Sequence, residues 1–475
     1  MKTPLCAATT LVGCALVISA CSSSTPAGGS AGAPGTPGTA GTPSIPGSAG
    51  TTANPGAGSG GAPATGGTTA TGGTTATAGT TATGGTATGG TATGGSGTAG
   101  SSTSTGITVK LDATHQTIQG FGLNDALLSA TWSTTTLDNL FTTNGPDAIG
   151  LQILRIGMAS SGGIAGSTPS NISGAKTRGA KIIGSCWSPP ANCKTNGSTM
   201  DGGHLCSTTN ASTPNNKCTS SANTSCYGSW SDAIAKFAKD NGLYAMSIGN
   251  EPDFASCGTV EPCNGNYDTT LYTANEMVAF LKVAGPKLQA NNIKVIAPEA
   301  SEWLHQWSNE SATGSVPGNK PSSDPLKCGF PASNAACTMG NGYDYGHWMA
   351  KDADAWKALD IIGVHEYDTQ RAEPWPSDIP TSMKKEIWQT EMSGVKWWPE
   401  QGTGTGDNLK GSDSIANGVA VAGWIHSALV VGEASAWLWW WYNAYNTDDN
   451  EGLLLGKTGT TLTRRYYALG NYSKF

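Results

Sequence analysis

Charged residues are scarce in this chain of 475 residues, and they make up only 12% of it. Residues 22–105 contain no Asp, Glu, Lys or Arg at all. Apart from Lys2, every charge lies in residues 106–475, where 25 Lys and Arg stand against 33 Asp and Glu. This acidic balance argues against nucleic acid or an acidic polymer as the general partner.

Long apolar runs are also missing, and no stretch beyond the N-terminus is long enough to be a transmembrane helix. At the N-terminus, Lys2 and the short apolar stretch 11–18 are typical of a targeting segment. The residues Ile18-Ser19-Ala20-Cys21 resemble the lipobox of bacterial lipoproteins. That resemblance implies cleavage before Cys21, which would carry a lipid anchor. The alternative is an ordinary secretory signal peptide, and in both cases we expect export.

Apart from Ile45 and Asn54, residues 22–105 consist of Gly, Thr, Ala, Ser and Pro, with ATGGT-like units from about 64 to 95. Such a segment cannot bury enough apolar surface to offset the entropy of ordering it. We therefore expect a disordered N-terminal region that acts as a flexible tether, with an adhesive role for the repeat as the alternative. The predicted organisation is a signal peptide over 1–20, a lipidated Cys and linker over 21–105, and a folded domain over 106–475.

Nine of the 12 cysteines lie beyond residue 21, and in an exported protein they indicate disulfides. Close spacing favours three local bridges: Cys257–Cys263, Cys328–Cys337 and Cys186–Cys193. Another bridge is expected within the group Cys206, Cys218 and Cys226, with one cysteine left over. A zinc site near His204 and Cys206 is the alternative, although the spacings lack the paired CxxC motifs that zinc favours.

Eight short apolar runs recur along the folded domain, and each is continuous rather than alternating. That pattern is typical of parallel strands buried on both faces. Helical patterns lie between several of the runs, at 231–242, 274–290 and 414–432. Strands that alternate with helices predict an α/β protein with a (β/α)8 TIM barrel. The runs are 116–122, 151–158, 180–187, 244–251, 294–301, 358–367, 385–392 and 434–442.

Catalytic residues of such barrels lie at the carboxyl ends of the strands. Applied to the eight runs, this rule selects a set of polar and aromatic residues as candidates for the site. We treat five histidines outside the set as structural or surface groups: His115, His204, His305, His347 and His426. The selected residues are Arg155, Trp187, Asn250, Glu251, Glu299, His365, Tyr367, Glu391, Trp439, Trp440, Trp441 and Tyr442.

Two glutamates in this set, Glu251 and Glu391, indicate the chemistry. Glycoside hydrolysis needs two carboxyl groups that flank the scissile bond, one as a proton donor and one as a nucleophile or base. Pro252 fixes the turn after the strand, so that Glu251 is presented rather than carried into a helix. A helix-terminal acid remains the alternative for either glutamate considered alone.

The other selected residues have the properties of substrate contacts. We expect Asn250 to bind a sugar hydroxyl, and Arg155 to keep a neighbouring carboxylate ionised. His365 and Tyr367 lie on one strand, where Tyr367 can bond the nucleophile. Trp187, Trp439 and Trp441 offer flat faces for sugar rings, with core packing as the alternative for the Trp run.

The motifs IQGFG, LRIGM, CWSPPANCKTNG, SIGNEPDF, VIAPEAS, GVHEYDTQ, EIWQTEMSG and RRYYALGNYSKF resemble, in this order, those of glycoside hydrolase family 30. The resemblance covers about 107–475. It implies a retaining enzyme with Glu251 as acid/base, Glu391 as nucleophile and Asn250 on the sugar 2-hydroxyl. It also implies carboxyl groups about 5–5.5 Å apart.

Two departures from the family pattern refine this expectation. The family carries a β-sandwich beside the barrel, and here we expect it to be truncated or absent, with 107–113 as its first strand. The stretch 443–452 is acidic, whereas the members that cut glucuronic-acid-decorated xylan are basic there. We therefore expect an endo-β-1,4-xylanase that does not depend on glucuronic acid.

Other activities stay open at this point. Alternatives within the family are a β-1,6-glucanase, a β-1,6-galactanase and a glucosylceramidase-like hydrolase. The alternative of another class is a non-catalytic glycan-binding surface protein. We expect a monomer that acts on a polysaccharide, contacts membrane only through its lipid anchor, and needs neither cofactor nor metal.

Overall fold

The computed structural model describes residues 112–127, 130–200, 202–207, 225–254, 268–308, 343–367, 372–393, 414–443, 452–455 and 461–475. The predicted signal peptide, lipid anchor Cys21 and linker lie outside these ranges, as does most of the predicted strand at 107–113. The predicted bridges Cys257–Cys263 and Cys328–Cys337 lie outside them as well. Among the described residues, no helix is long and apolar enough to cross a bilayer.

Eight parallel strands close into a barrel, and each lies within or beside one of the eight apolar runs. The order of the barrel strands is β1-β2-β4-β5-β6-β7-β8-β9, and a pairing between β1 and β9 closes it. The (β/α)8 prediction is therefore confirmed. The strands are β1 (Gly120–Asn124), β2 (Ile153–Met158), β4 (Lys181–Cys186), β5 (Ala245–Ser247), β6 (Lys294–Ala300), β7 (Ile361–His365), β8 (Glu386–Glu391) and β9 (Ala434–Asn443).

Two short strands and eight helices of the described chain complete the domain. Strand β3 (Ile164–Ala165) pairs with β2 in antiparallel orientation, and β10 (Gly452–Leu454) pairs with the end of β9 in parallel orientation. The helices are α1 (Thr134–Phe141), α2 (Pro169–Thr177), α3 (Tyr227–Asp240), α4 (Ala274–Gln289), α5 (Tyr345–Lys351), α6 (Ala353–Ala358), α7 (Ile415–Val430) and α8 (Arg464–Lys474).

Side-chain caps mark the start of six of the eight described helices, and α3 and α5 are the exceptions. Helix α4 begins at a capping box, in which Thr273 and Glu276 exchange side-chain and backbone hydrogen bonds. Helix α3 begins at Tyr227, four residues before the expected start. The additional turn buries Tyr227 and Trp230 and directly follows the disulfide-bonded Cys226, so packing and the bridge override the weaker capping signal.

The observed disulfides differ from one prediction. Cys193 pairs with Cys226 across 33 residues, and Cys186 is a free, buried thiol, so the predicted Cys186–Cys193 bridge is wrong. Cys186 lies on β4 with its side chain in the core between barrel and helices, which removes it from the loop that carries Cys193. Cys206 is also disulfide bonded.

The interior of the barrel is divided into an apolar lower part and a polar mouth. Side chains from the lower halves of seven strands form one buried cluster inside the barrel. It contains Ile153, Ile183, Ala245, Ile296, Ile361, Trp388, Ala436 and Leu438. This packed cluster fills the barrel as an apolar plug. Polar groups above it are held at the carboxyl ends of the strands.

One buried acid of the barrel wall has a consequence for stability. Glu366 follows β7, is fully buried and accepts a hydrogen bond of 2.9 Å from the indole of Trp437. Burial raises its pKa from an ordinary 4.5 to about 8, against the opposing effect of that hydrogen bond. The folded state therefore binds a proton that the unfolded state has lost above about pH 4.5, so stability falls as pH rises towards 8.

Replacing Glu366 with Gln should remove this pH dependence, since Gln keeps the shape and the acceptor for Trp437. Between about pH 5 and pH 7, the wild type should lose about 3 kcal/mol of unfolding free energy relative to Glu366→Gln. Urea denaturation at the two pH values measures the difference. Glu386→Gln is the matched control, because Glu386 also accepts an indole hydrogen bond, from Trp388. Parallel pH profiles for wild type and Glu366→Gln would contradict the prediction.

Candidate active site

Glu251 lies in the turn that follows β5, at the carboxyl-terminal mouth of the barrel. Strand β5 ends at Ser247, and the chain then turns so that Glu251 adopts a φ of 45°, a left-handed conformation unusual for a residue other than glycine. A backbone hydrogen bond of 2.9 Å from the Glu251 N–H to the carbonyl of Glu299 holds the turn. Glu251 is 5% exposed and Asn250 is 1% exposed.

Glu391 ends β8, and an irregularity in the strand turns it towards the mouth. In the pairing of β7 with β8, Val364 lies opposite Gln389, and the next residue, His365, lies opposite Glu391. Thr390 is therefore the extra residue of a bulge. Such a bulge re-aims the side chain that follows it. Trp388 faces the interior plug, and strict alternation from there would direct Glu391 outward.

The carboxylates of Glu251 and Glu391 approach closely across the mouth. One oxygen of each, together with a ring nitrogen of His365, lies within 4.8 Å of the others. Retaining glycosidases hold their two carboxyl groups about 5–5.5 Å apart, whereas inverting enzymes need about 6.5–9.5 Å to admit a water molecule. The separation therefore fits a retaining arrangement.

Arg155 connects three polar groups of the mouth from its position on β2. One terminal nitrogen donates to Glu391 at 2.7 Å, and the other donates to Asn250 at 2.6 Å and to Glu299 at 3.0 Å. The guanidinium carbon also lies 5.0 Å from the ring centre of Trp187. Burial opposes the charge of Arg155, but Glu299 and Glu391 raise its pKa further, so it remains a cation.

His365 and Tyr367 extend from the end of β7 to the two carboxylates. His365 Nδ1 lies 3.1 Å from Glu251 and 3.8 Å from Glu391. Burial lowers the pKa of His365, but the negative charges of Glu391 and Glu251 outweigh that effect and raise it. The Tyr367 hydroxyl donates to Glu391 at 2.9 Å, and burial raises the pKa of Tyr367, which keeps it a donor.

Opposing forces act on the protonation of Glu391. Burial raises its pKa, and the nearby charge of Glu251 acts in the same direction. The cations His365 and Arg155 and the hydrogen bond from Tyr367 oppose the rise. Arg155, His365 and Tyr367 thus favour the ionised form of Glu391, against the larger effect of burial.

Aromatic side chains form one wall of the mouth, but not the set that the sequence predicted. Trp187, Trp440 and Trp441 form one buried cluster, in which the Trp440 and Trp441 rings stack 4.9 Å apart. Trp439 is not part of it. Trp439 is fully buried beside Trp437 in the core between barrel and helices, so we correct its assignment as a substrate contact.

A second irregularity explains this correction. The pairing of β1 with β9 runs from Leu123–Trp439 directly to Asn124–Trp441, which makes Trp440 the extra residue of a bulge. The bulge breaks the alternation of side chains, so that neighbouring residues Trp440 and Trp441 both reach the mouth. Strict alternation would place Trp439 and Trp441, the two residues predicted as substrate contacts, on the same face of the strand.

Sequence reasoning gave no role to Glu299, although it selected Glu299 as a strand-end residue. The structure places the Glu299 carboxylate within hydrogen-bonding distance of both Arg155 and Ser185. The sequence signal that could have indicated a role for Glu299 is the motif APEAS, in which an acidic residue interrupts an apolar run directly after proline.

The same groups raise the question of a metal site. Glu251, His365 and Glu391 each direct one ligand atom towards a common point. The Arg155 guanidinium lies 2.7 Å from Glu391, so a cation already pairs with one of these carboxylates, and the negative charges around His365 raise its pKa, which disfavours the neutral imidazole. This donor set fits acid/base chemistry better than a divalent cation, which needs neutral imidazole and unshared carboxylates.

A (β/α)8 barrel with two carboxylates facing each other at its mouth is the arrangement of a retaining O-glycosyl hydrolase. No protein-family model matches the chain. The chain is similar to the glucuronoxylanase XynC of Bacillus subtilis (strain 168), with 24% identity over 383 residues, which cover 78% of this chain and 70% of the relative.

Solved structures give the same fold. A glycoside hydrolase family 30 subfamily 8 xylanase, Xyn30A from Clostridium acetobutylicum, matches with a TM-score of 0.51 and 24% identity, over 77% of this chain and 73% of the other. A conserved exported protein from Bacteroides fragilis matches with a TM-score of 0.51 and 15% identity, over 77% of this chain and 80% of the other. The chain therefore shares the fold of a glycoside hydrolase family 30 xylanase, and its sequence is similar to that of a glucuronoxylanase.

Proposed function

We propose that this protein is a retaining, endo-acting glycoside hydrolase of β-linked polysaccharides, and most specifically an endo-β-1,4-xylanase. The observation that carries the proposal is the approach of the Glu251 and Glu391 carboxylates within 4.8 Å at the mouth of the barrel. The similarity to a curated xylanase supports the choice of xylan over other glycans.

The reaction proceeds by two displacements. Glu391 attacks the anomeric carbon while Glu251 donates its proton to the departing glycosidic oxygen, which leaves a covalent glycosyl-enzyme. Glu251, now ionised, takes a proton from water, whose oxygen attacks the same carbon and releases Glu391. Each carbon–oxygen exchange inverts the anomeric centre, so the product keeps the configuration of the substrate.

The surrounding groups hold the sugar and the charges during these steps. Asn250 accepts a hydrogen bond from Arg155 through its side-chain oxygen, which orients the amide group that binds the sugar 2-hydroxyl in the proposed complex. Arg155 and Tyr367 donate to Glu391 and orient its carboxylate for attack. Trp187, Trp440 and Trp441 supply the aromatic wall against which a pyranose ring packs.

The proposed substrate is neutral or arabinose-substituted xylan, without a requirement for glucuronic acid. The stretch 443–452, which follows β9, contains Asp448, Asp449 and Glu451 and no basic residue. A carboxylate on the substrate would be repelled by such a segment.

We further propose that the protein is exported and works at the outer surface of the cell as a monomer. Cys21 is the proposed lipid anchor, and residues 22–105 are the proposed tether between membrane and barrel. Similarity to a conserved exported protein supports export, and a polymeric substrate that cannot enter the cell agrees with it.

A panel of glycans tests the proposed activity. Incubated with the full chain, arabinoxylan should yield a series of xylo-oligosaccharides, and glucuronoxylan should be cut without a preference for sites beside glucuronic acid. β-1,6-Glucan, β-1,6-galactan and glucosylceramide represent the alternative activities of the family. Product sizing by chromatography separates an endo pattern from the release of single sugars.

Two outcomes would contradict the proposal. Products confined to a β-1,6-glycan or glucosylceramide would replace the xylanase assignment with that activity. Binding of a glycan by the folded protein, without release of any product, would instead favour the non-catalytic glycan-binding protein.

A further inference from the structure

Glu299 is a buried acid at the mouth of the barrel that takes no part in the proposed reaction. It is fully buried on β6, where the pairs Pro298–Gly363 and Ala300–Val364 leave it as the extra residue of a bulge. Its φ is 60°, in the left-handed region that residues with a side chain rarely adopt. Such strained residues persist where the surroundings enforce them, and they concentrate at functional sites.

The strained backbone directs the Glu299 carboxylate into the polar network of the mouth. One oxygen accepts hydrogen bonds from Ser185 at 2.6 Å and from Arg155 at 3.0 Å. Gly363 on the neighbouring strand leaves the room that this conformation needs, because a Cβ there would lie 2.7 Å from the Glu299 Cγ. Residues on β2, β4 and β7 therefore contribute to the placement of this carboxylate, which belongs to β6.

Arg155 needs a fixed orientation to donate hydrogen bonds to both Asn250 and Glu391. Its guanidinium is a planar fork whose donors point in fixed directions, so its orientation decides which acceptors it reaches. The nitrogen that donates to Asn250 is the same one that donates to Glu299. Because Ser185 donates to the same carboxylate oxygen of Glu299, that oxygen is held in place and fixes the Arg155 nitrogen in turn.

Charge gives Glu299 a second effect on the same network. Burial alone would raise its pKa, but the charges of Arg155 and His365 and the bond from Ser185 lower it, so Glu299 is an anion. Arg155 is therefore shared between two carboxylates, Glu299 and Glu391. Sharing limits how strongly the cation stabilises ionised Glu391, which preserves its basicity as a nucleophile.

We propose that Glu299 is a positioning residue, which acts through Arg155 to hold Asn250 and Glu391 in the geometry and charge state needed for glycosyl transfer. The inference rests on the proposed glycosidase function and adds a residue to it. Glu299 itself does not touch the substrate, since its carboxylate is fully buried beneath Arg155 and Ser185.

A double-mutant cycle between Glu299→Gln and Asn250→Ala tests the inference, measured as kcat/KM on the glycan that the wild type cleaves. Glu299→Gln alone should lower kcat/KM about 10- to 100-fold through kcat, as expected for a small displacement of catalytic groups. In the Asn250→Ala background the same change should cost several-fold less, because the group that Arg155 positions is already gone.

The pH profile supplies a readout that a purely structural role would not move. In Glu299→Gln, Arg155 is no longer shared, so the pKa of Glu391 falls and the acidic limb of kcat/KM moves to lower pH. Glu366→Gln is the matched control, because it changes another fully buried glutamate near the end of a barrel strand without touching Arg155. We expect it to leave kcat/KM and the acidic limb unchanged.

The outcomes separate this inference from the proposed function. Inactivity of the wild type on every glycan would sink the proposed function itself. With an active wild type, a folded Glu299→Gln variant whose kcat/KM stays within about twofold would overturn the positioning role. The positioning role would also be overturned if Glu299→Gln lowered kcat/KM by the same factor in the wild-type and Asn250→Ala backgrounds and left the acidic limb of the pH profile unchanged.

Discussion

Replacing Glu391 with Ala should lower kcat by about 10⁴-fold or more on every substrate, because the first carbon–oxygen exchange loses its nucleophile. Replacing Glu251 with Ala should lower kcat on xylan by about 10²–10⁴-fold, the usual share of a general acid. The two losses should differ in kind as well as in size. An aryl glycoside with an acidic phenol leaving group needs no proton donor, so Glu251→Ala should still form the glycosyl-enzyme from it.

Azide as an external nucleophile distinguishes the two roles by product stereochemistry. In Glu251→Ala, azide attacks the glycosyl-enzyme on the face opened by the missing side chain and gives a glycosyl azide of retained configuration. In Glu391→Ala, azide replaces the nucleophile itself and gives the inverted azide. Nuclear magnetic resonance of the products reads the configuration directly.

Glu251→Gln and Glu391→Gln are the isosteric companions that control for the cavity left by Ala. A folded Glu391→Ala variant that yields the retained azide, or a Glu251→Ala variant that yields the inverted one, would exchange the two assignments. Unchanged activity in either variant would remove that residue from the mechanism.

The sequence was sufficient to predict the barrel because its strands are buried on both faces. Each of the eight runs is continuous and apolar, and the structure places one barrel strand in or beside every run. The selection of strand-end residues followed from the same fold, since parallel strands deliver their last residues to one mouth. Arg155, Glu251 and Glu391 thus come together although 236 residues separate the first from the last.

The parts that the sequence did not reveal depend on single-residue irregularities. Bulges at Glu299, at Thr390 and at Trp440 shift the alternation of side chains on three strands. Each bulge directs a side chain to the mouth that strict alternation would have directed elsewhere. Since a bulge depends on the pairing with a neighbouring strand, a pattern within one strand does not reveal it.

The cysteine pairing failed for a related reason. Spacing along the chain favoured a bridge between Cys186 and Cys193, but the alternation of β4 directs Cys186 into the core. The partner of Cys193 is Cys226, 33 residues away, with Cα atoms 5.6 Å apart. Proximity in space, which the fold creates, decided the pairing.

Replacing Arg155 with Met should destabilise the fold and abolish most activity at once. The side chain is fully buried and forms ion pairs with Glu299 at 3.0 Å and Glu391 at 2.7 Å. Removing one partner of a buried pair leaves uncompensated charge and typically costs about 3–5 kcal/mol. Urea denaturation near neutral pH should show a loss of that size, and Arg178→Met is the control. Arg178 pairs with a half-exposed Asp138, so its loss should cost about 1 kcal/mol or less.

The cost of Arg155→Met should also depend on pH with a defined sign. In the wild type the pKa of Glu299 is lowered, so the pairing contributes stability above the ordinary pKa of the acid, 4.5, and loses it as pH falls. Without Arg155, burial favours the protonated forms of Glu299 and Glu391, so the variant should recover stability relative to the wild type as pH falls from neutral towards about 4.5. A loss that stays constant between neutral pH and pH ~4 would show that lost packing, rather than lost charge, explains the effect.

Arg155→Lys separates charge from geometry at the same position. Lysine restores a cation next to Glu391, and it should recover much of the stability near neutral pH. Its single ammonium lacks the planar fork that reaches Glu391, Asn250 and Glu299 together. We therefore expect the Lys variant to be folded and yet still poor in kcat/KM, with its acidic limb close to that of the wild type. Full activity in Arg155→Lys would mean that only the charge matters, and that the orientation of Asn250 does not depend on this fork.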